Sequence, residues 1–132
     1  MFISRPDNRA PVNSHILFVD DEAPIRELLS LYFRKKGLQV TAATTAQQAK
    51  ELASATAFDV AILDVNLAGE NGLDLLVFFK KNHPRTRVII FTGLTGEDLV
   101  QHARAAGADG FMRKTESLGD LFAEVTKHLP KA

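Results

Sequence analysis

Residues 16–37 read ILFVDDEAPIRELLSLYFRKKG, and the change of periodicity inside this stretch decides the fold. Ile16 to Val19 form an unbroken apolar run of strand length, and beyond the acids Ile25, Leu28, Leu29, Tyr32 and Phe33 fall on one stripe at helical spacing. Pro24 suits the first turn of that helix and Gly37 its C-terminal stop. A strand apolar on both faces belongs in a sheet covered on both sides, which is the situation of parallel sheets.

The same alternation continues along the chain. Apolar runs recur around Val40, at Val60 to Leu63, at Val88 to Phe91 and at Gly110 to Arg113, each followed by a helical pattern. Thr45 and Gln48 stand in capping-box spacing at the head of a helix expected over 45–55, whose apolar face is the thin set Ala49, Leu52 and Ala53. Leu75, Leu76, Phe78 and Phe79 mark a helix from Gly72 to Asn82 that ends before Pro84. Leu99, Val100 and Ala103 mark another that Gly107 stops, and Leu118, Leu121, Phe122, Val125 and Leu129 mark the last, with Ser117 as its N-cap. Successive βα units with short connections require parallel strands and right-handed crossovers. The expected architecture is a three-layer α/β/α sandwich around a doubly wound, five-stranded parallel sheet of flavodoxin-like order 2-1-3-4-5.

Composition agrees with one such domain and narrows its function. With 132 residues, 45% of them hydrophobic, the chain suits a single core, expected over 14–129, preceded by a polar arm over 1–13 that contains two prolines and is expected to be flexible. Sixteen basic residues balance sixteen acidic ones without clustering, which disfavours direct binding to nucleic acid or an anionic membrane. No apolar run approaches the roughly 20 residues of a membrane span, and the N-terminus lacks the apolar centre of a signal peptide. Absence of cysteine excludes disulfide and thiolate chemistry and agrees with a cytoplasmic location. His15, His83, His102 and His128 are too scattered for a metal site and read as surface or loop residues.

In the order 2-1-3-4-5 the first, third, fourth and fifth strands lie side by side. Their C-terminal ends carry Asp20 with Asp21, Asp64, Thr92 and Lys114 respectively. Ligands of open α/β sheets bind at that edge. At an effective dielectric constant of about 20, two carboxylates roughly 5 Å apart repel by on the order of 3 kcal/mol. A cluster of such acids therefore calls for a cation or for protons, and Mg²⁺, a hard ion with oxygen ligands, is the expected cation. Taken singly, Asp20 or Asp21 is an ordinary helix cap, Thr92 a strand-end hydroxyl and Lys114 a solvated charge. Their joint placement points to a site.

This constellation, over Ser14 to Leu129, resembles the receiver domain of bacterial two-component response regulators. The resemblance implies that Asp64 is the phosphoacceptor, taking a phosphoryl group from a phosphohistidine of a sensor kinase or phosphotransfer protein. It implies further that Asp21, Asp64 and the backbone carbonyl of Asn66 ligate Mg²⁺, with Asp20 acting through a coordinated water. Lys114 would pair with the phosphoryl oxygens, Thr92 would be the switch hydroxyl and Phe111 the switch aromatic, acting by burial alone because it lacks the hydroxyl of tyrosine. The face of the fourth helix, fifth strand and fifth helix would bind a downstream protein. Such a protein phosphorylates itself but is not an enzyme that turns over free substrates.

The sequence departs from the family pattern at two loops. Thr115 follows Lys114 where proline in a cis peptide is usual, and a cis bond before a non-proline residue costs about 2.5 to 4 kcal/mol, so that bond is either trans or strained. Ala68 and Gly69 follow Leu67 where leucine-proline is usual, which frees a backbone torsion beside the site. Other classes fit less well. A flavin carrier would bind phosphate after the first strand, where this chain has Asp20, Asp21 and Glu22, and a haloacid dehalogenase-like phosphatase would place its nucleophile on the first strand. A degenerate receiver, acting as a phosphate-independent interaction module, would not need the acids, the threonine and the lysine. The chain is expected to be a receiver without an attached output domain, either stand-alone or excised.

Overall fold

The computed structural model describes residues 14–67, 69–93 and 96–130. The arm expected over 1–13 lies outside them. The strands are β1 (His15–Val19), β2 (Gln39–Ala43), β3 (Val60–Leu63), β4 (Asn66–Leu67), β5 (Glu70–Asn71), β6 (Arg87–Thr92) and β7 (Gly110–Arg113), and the helices are α1 (Ala23–Lys35), α2 (Ala46–Ala55), α3 (Gly72–Asn82), α4 (Glu97–Ala105) and α5 (Leu118–Lys127). The main sheet has the order β2-β1-β3-β6-β7, all parallel. With the small β4–β5 hairpin set aside this is the expected order 2-1-3-4-5.

Alternation along the strands divides the core in two. Ile16, Phe18, Val60, Ile62, Ile89 and Phe91 face α1 and α5, where they meet Leu29, Phe33, Leu121 and Val125. Leu17, Val19, Ala61, Leu63, Val88 and Ile90 face the other helices, where they meet Ala49, Ala53, Leu75, Leu76, Phe79 and Ala103. Aromatic packing reinforces the first layer, with Phe33 stacked on Phe18 at 5.3 Å and tilted against Phe122 at 5.8 Å between ring centroids. The residues that α2 buries in the second layer, Ala49 and Ala53, are both small. No described helix is long and apolar enough to cross a membrane.

Helix ends follow the sequence signals with one change of partner. Thr45 Oγ1 accepts from the Gln48 N–H at 3.1 Å, but the Gln48 side chain returns to the N–H of Thr44 at 2.8 Å, one residue before the cap. Asn71 and Ser117 cap α3 and α5 through the N–H groups of Leu73 and Asp120. The β4–β5 hairpin has no counterpart in the sequence reading. It pairs Asn66 with Asn71 and Leu67 with Glu70, turns through Gly69 at φ +88°, and buries Leu67 completely. The loosening expected at Ala68 falls outside the described residues. No described peptide bond is cis, so the Lys114–Thr115 bond is trans.

His15 corrects the view of the histidines as surface or loop residues. It opens β1, its Nε2 lies 2.7 Å from Thr41 Oγ1, and its ring meets the edge of Phe58 at 4.8 Å. Burial lowers its pKa against the opposing effect of Asp59.

Asp109, just before β7, ties three elements together. Its Oδ2 accepts from the Val88 N–H at 2.8 Å and from Lys80 Nζ at 2.9 Å, while Oδ1 lies 3.4 Å from Arg87 Nη1. Burial pushes the Asp109 carboxyl up, but the hydrogen bonds from Lys80 and Val88 and the two cations together hold it below the ordinary carboxylate value. A folded pKa below the unfolded one stabilises the fold above the unfolded value and loses that effect as pH falls through the folded one. Asp109→Ala should therefore cost about 1 to 3 kcal/mol in urea unfolding at neutral pH. The difference from wild type should shrink as pH is taken below the ordinary value near 3.8. A difference independent of pH would show that the carboxylate charge is not what holds these elements.

Candidate functional site

The sheet ladders run past the strand ends and fix the backbone of the acidic residues. Val19 lies beside Leu63 in the β1–β3 register, the Asp64 N–H donates to the Val19 carbonyl at 3.0 Å, and the Asp20 N–H donates to the Ala43 carbonyl at 3.1 Å. On the far side Thr92 closes β6, and the Lys114 N–H donates to the Thr92 carbonyl at 2.9 Å. Below Asp64 the chain turns tightly into α3: the Gly72 N–H donates to the Val65 carbonyl at 2.6 Å. A Cβ on Gly72 would overlap the Asp64 carbonyl oxygen and stand 2.8 Å from Val65 Cα, so only glycine fits there.

Asp20 and Asp64 are buried, at 3% and 5% exposure, and Asp21 is more open to solvent. The three offer carboxylate oxygens that all lie within 4.8 Å of one another. Asp20 Oδ1 accepts from the Glu22 N–H at 2.9 Å and Asp64 Oδ1 from the Asn66 N–H at 3.2 Å. Their other oxygens face one cation. Lys114 Nζ stands 2.8 Å from Asp20 Oδ2, 2.8 Å from Asp64 Oδ2 and 2.7 Å from Glu22 Oε1. An ammonium has three N–H donors, so this arrangement uses all of them.

Burial raises the Asp20 pKa, Asp64 adds to the rise, and the hydrogen bonds from Lys114 and the Glu22 N–H offset it only in part. Burial disfavours the charged form of Lys114, but hydrogen bonds to Asp20, Asp64 and Glu22 outweigh it and hold the ammonium above its ordinary value. The acids outnumber the single lysine they share. An all-oxygen, anionic donor set of this kind fits a hard divalent cation.

Above these groups opens a pocket of about 300 Å³, lined by Asp21, Glu22, Asp64, Asn66, Thr92, Gly93 and Lys114. The structure thus brings Asp20, Asp21, Asp64, Asn66, Thr92 and Lys114 to one sheet edge, with all but Asp20 lining the pocket. Thr92 is fully buried. Phe111 stands outside this group. It pairs with Ile90 in the sheet, packs half-buried against the α2–α4 layer, and carries the Arg113 guanidinium 5.9 Å from its ring centroid.

The profile of the response regulator receiver domain matches residues 16–126. The chain belongs to that family. It is 36% identical over 105 residues to the response regulator PilR of Pseudomonas aeruginosa, covering 80% of this chain but only about a quarter (24%) of PilR. It is 32% identical over 119 residues to sporulation initiation phosphotransferase F of Bacillus subtilis, covering 90% of this chain and 96% of the relative. Among solved structures, a CheY-like receiver domain from Methanospirillum hungatei superposes with a TM-score of 0.84 at 26% identity, covering 87% of this chain and 92% of its own. The BeF3-activated DrrB receiver domain superposes with a TM-score of 0.79 at 29% identity, covering 89% and 97% respectively. The receiver is accordingly a component of two-component signalling.

Two residues that shape the site are missing from the sequence reading of it. Glu22 adjoins the acid pair, but its contact with Lys114 spans 92 positions and depends on the fold. Gly72 left a faint signal, a poor helix former at the head of a helix. Gly72→Ala should cost about 1 to 3 kcal/mol through overpacking and shift the backbone amide resonances of Asp64 and Val65. Unchanged amides at those two positions would mean that α3 gives way instead of the site.

Proposed function

We propose that Asp64 accepts a phosphoryl group from a phosphohistidine on a sensor kinase or phosphotransfer protein, and that the phosphoryl group switches a protein-binding surface. The observation that carries this reading is the buried Asp64 carboxylate facing Lys114 at 2.8 Å on the floor of an open pocket, with Asp20 and Asp21 beside it. An Asp64 carboxylate oxygen forms a bond to phosphorus as the phosphorus–nitrogen bond breaks. The electron pair returns to the imidazole, and the product is an acyl phosphate.

Asp21, Asp64 and the backbone carbonyl of Asn66 would hold Mg²⁺, with Asp20 acting through a water. When bound, Mg²⁺ supplies positive charge that offsets the repulsion between the anionic nucleophile and the anionic phosphoryl group. The Asn66 N–H holds Asp64 Oδ1 and so orients the carboxylate. Lys114 gives its ammonium to the phosphoryl oxygens as they arrive, a role suited to a point charge on a flexible stem.

The acyl phosphate adds roughly one negative charge and several acceptor oxygens, which draw in the Thr92 hydroxyl. Phe111 then turns toward the space vacated and biases the face formed by α4, β7 and α5 between two states, which a downstream protein partner reads. The chain modifies itself, catalysing its own phosphorylation and dephosphorylation, and operates in the cytoplasm beside its kinase.

Incubation with Mg²⁺ and acetyl phosphate, followed by intact mass measurement, tests the assignment. Wild type should gain one phosphoryl adduct, and Asp64→Ala or excess chelator should abolish it. Equal yields in wild type and Asp64→Ala would overturn the role of Asp64. No adduct in wild type would favour a phosphate-independent interaction module.

A further inference from the structure

The three carboxylates on Lys114 are not equivalent. Asp20 and Asp64 are buried parts of the acid cluster, whereas the Glu22 side chain is 59% exposed. Glu22 occupies the N-cap position of α1 yet makes no side-chain cap, because its carboxylate is turned to Lys114 Nζ. From this geometry we infer that Glu22 competes with an incoming phosphoryl group for Lys114, and so sets how tightly the site holds phosphoryl-like anions. The inference rests on the reading of Asp64 and Lys114 given above.

With all three donors engaged, Lys114 has none for a phosphoryl oxygen until a carboxylate lets go. Releasing Asp20, which is buried, would take the Lys114 hydrogen bond from an oxygen that water does not readily reach, which is costly. Esterification of Asp64 removes its charge, but only after the group has arrived. Glu22 faces water, which replaces the lost hydrogen bond at little cost, so Glu22 is the arm that yields. It is a positioning residue that acts through Lys114 and touches neither phosphorus nor the attacking oxygen.

Beryllium fluoride, a phosphoryl mimic, is the probe, titrated calorimetrically into the whole chain at saturating Mg²⁺. Glu22→Gln should bind it about two- to fivefold more tightly, the range expected from releasing an exposed ion pair. Glu116→Gln is the charge-matched control, because Glu116 accepts from the Arg113 N–H at 3.2 Å and not from Lys114. It should leave the affinity unchanged. In a Lys114→Ala background, Glu22→Gln should have no effect. Wild-type affinity in Glu22→Gln, equal tightening by Glu116→Gln, or the same tightening without Lys114 would each overturn the inference. Where Lys114→Ala binds too weakly to measure, the contrast between Glu22→Gln and Glu116→Gln decides. Absence of binding to wild type, together with absence of a phosphoryl adduct, would remove the phosphoacceptor reading and this inference with it.

Discussion

One ammonium group reconciles the C-terminal edge of the sheet with its own charge. Parallel strands bring the ends of β1 and β3 side by side, and with them two buried carboxylates that repel each other. Lys114 enters from β7, at the far edge of the sheet, and bridges Asp20 and Asp64 at 2.8 Å each. Breaking such a pair by removing one partner leaves a buried charge uncompensated, which in general costs 3 to 5 kcal/mol. The sheet order brings the end of β7 within a lysine's reach of the ends of β3 and β1, and the exposed Glu22 takes the third donor of that lysine.

The fold was largely legible because its signals are local. Runs such as Val60 to Leu63 are apolar at every position, and helical stripes such as Leu121, Phe122 and Val125 repeat within a single element, so each element could be recognised without knowing its neighbours. Chirality and short connections then gave parallel strands, and the order 2-1-3-4-5 is the common doubly wound arrangement for five such units. Of the residues expected at the site, Asp20, Asp21, Asp64, Thr92 and Lys114 meet at one edge because each ends or follows a strand, and strand ends are readable from hydrophobicity; Asn66, expected from a resemblance, joins the pocket lining. Phe111, expected from a resemblance and not from a position at the edge, stands apart from them.

What escaped the sequence depends on contacts that no local pattern encodes. The β4–β5 hairpin consists of two residues on each side, too short for an alternation to register. Gly72 is required by the carbonyl of Asp64, which approaches it through a turn. Asp109 looks like a loop acid but binds Lys80, Arg87 and the Val88 amide, and His15 looks like a surface residue but is shielded by Phe58 and Thr41. For Asp109 and His15 the burial was set by partners distant in the chain.

Strict alternation along the strands also keeps the two layers of the core apart. The layer containing Phe33 and Leu121 and the layer containing Leu75 and Phe79 share no side chain, since the sheet backbone lies between them. Replacements on opposite sides of the sheet should therefore be nearly additive in their effect on stability, while those within one layer are coupled. At the rim where the strands end, Val65 and Leu67 carry the second layer up to Asp64 and Asn66.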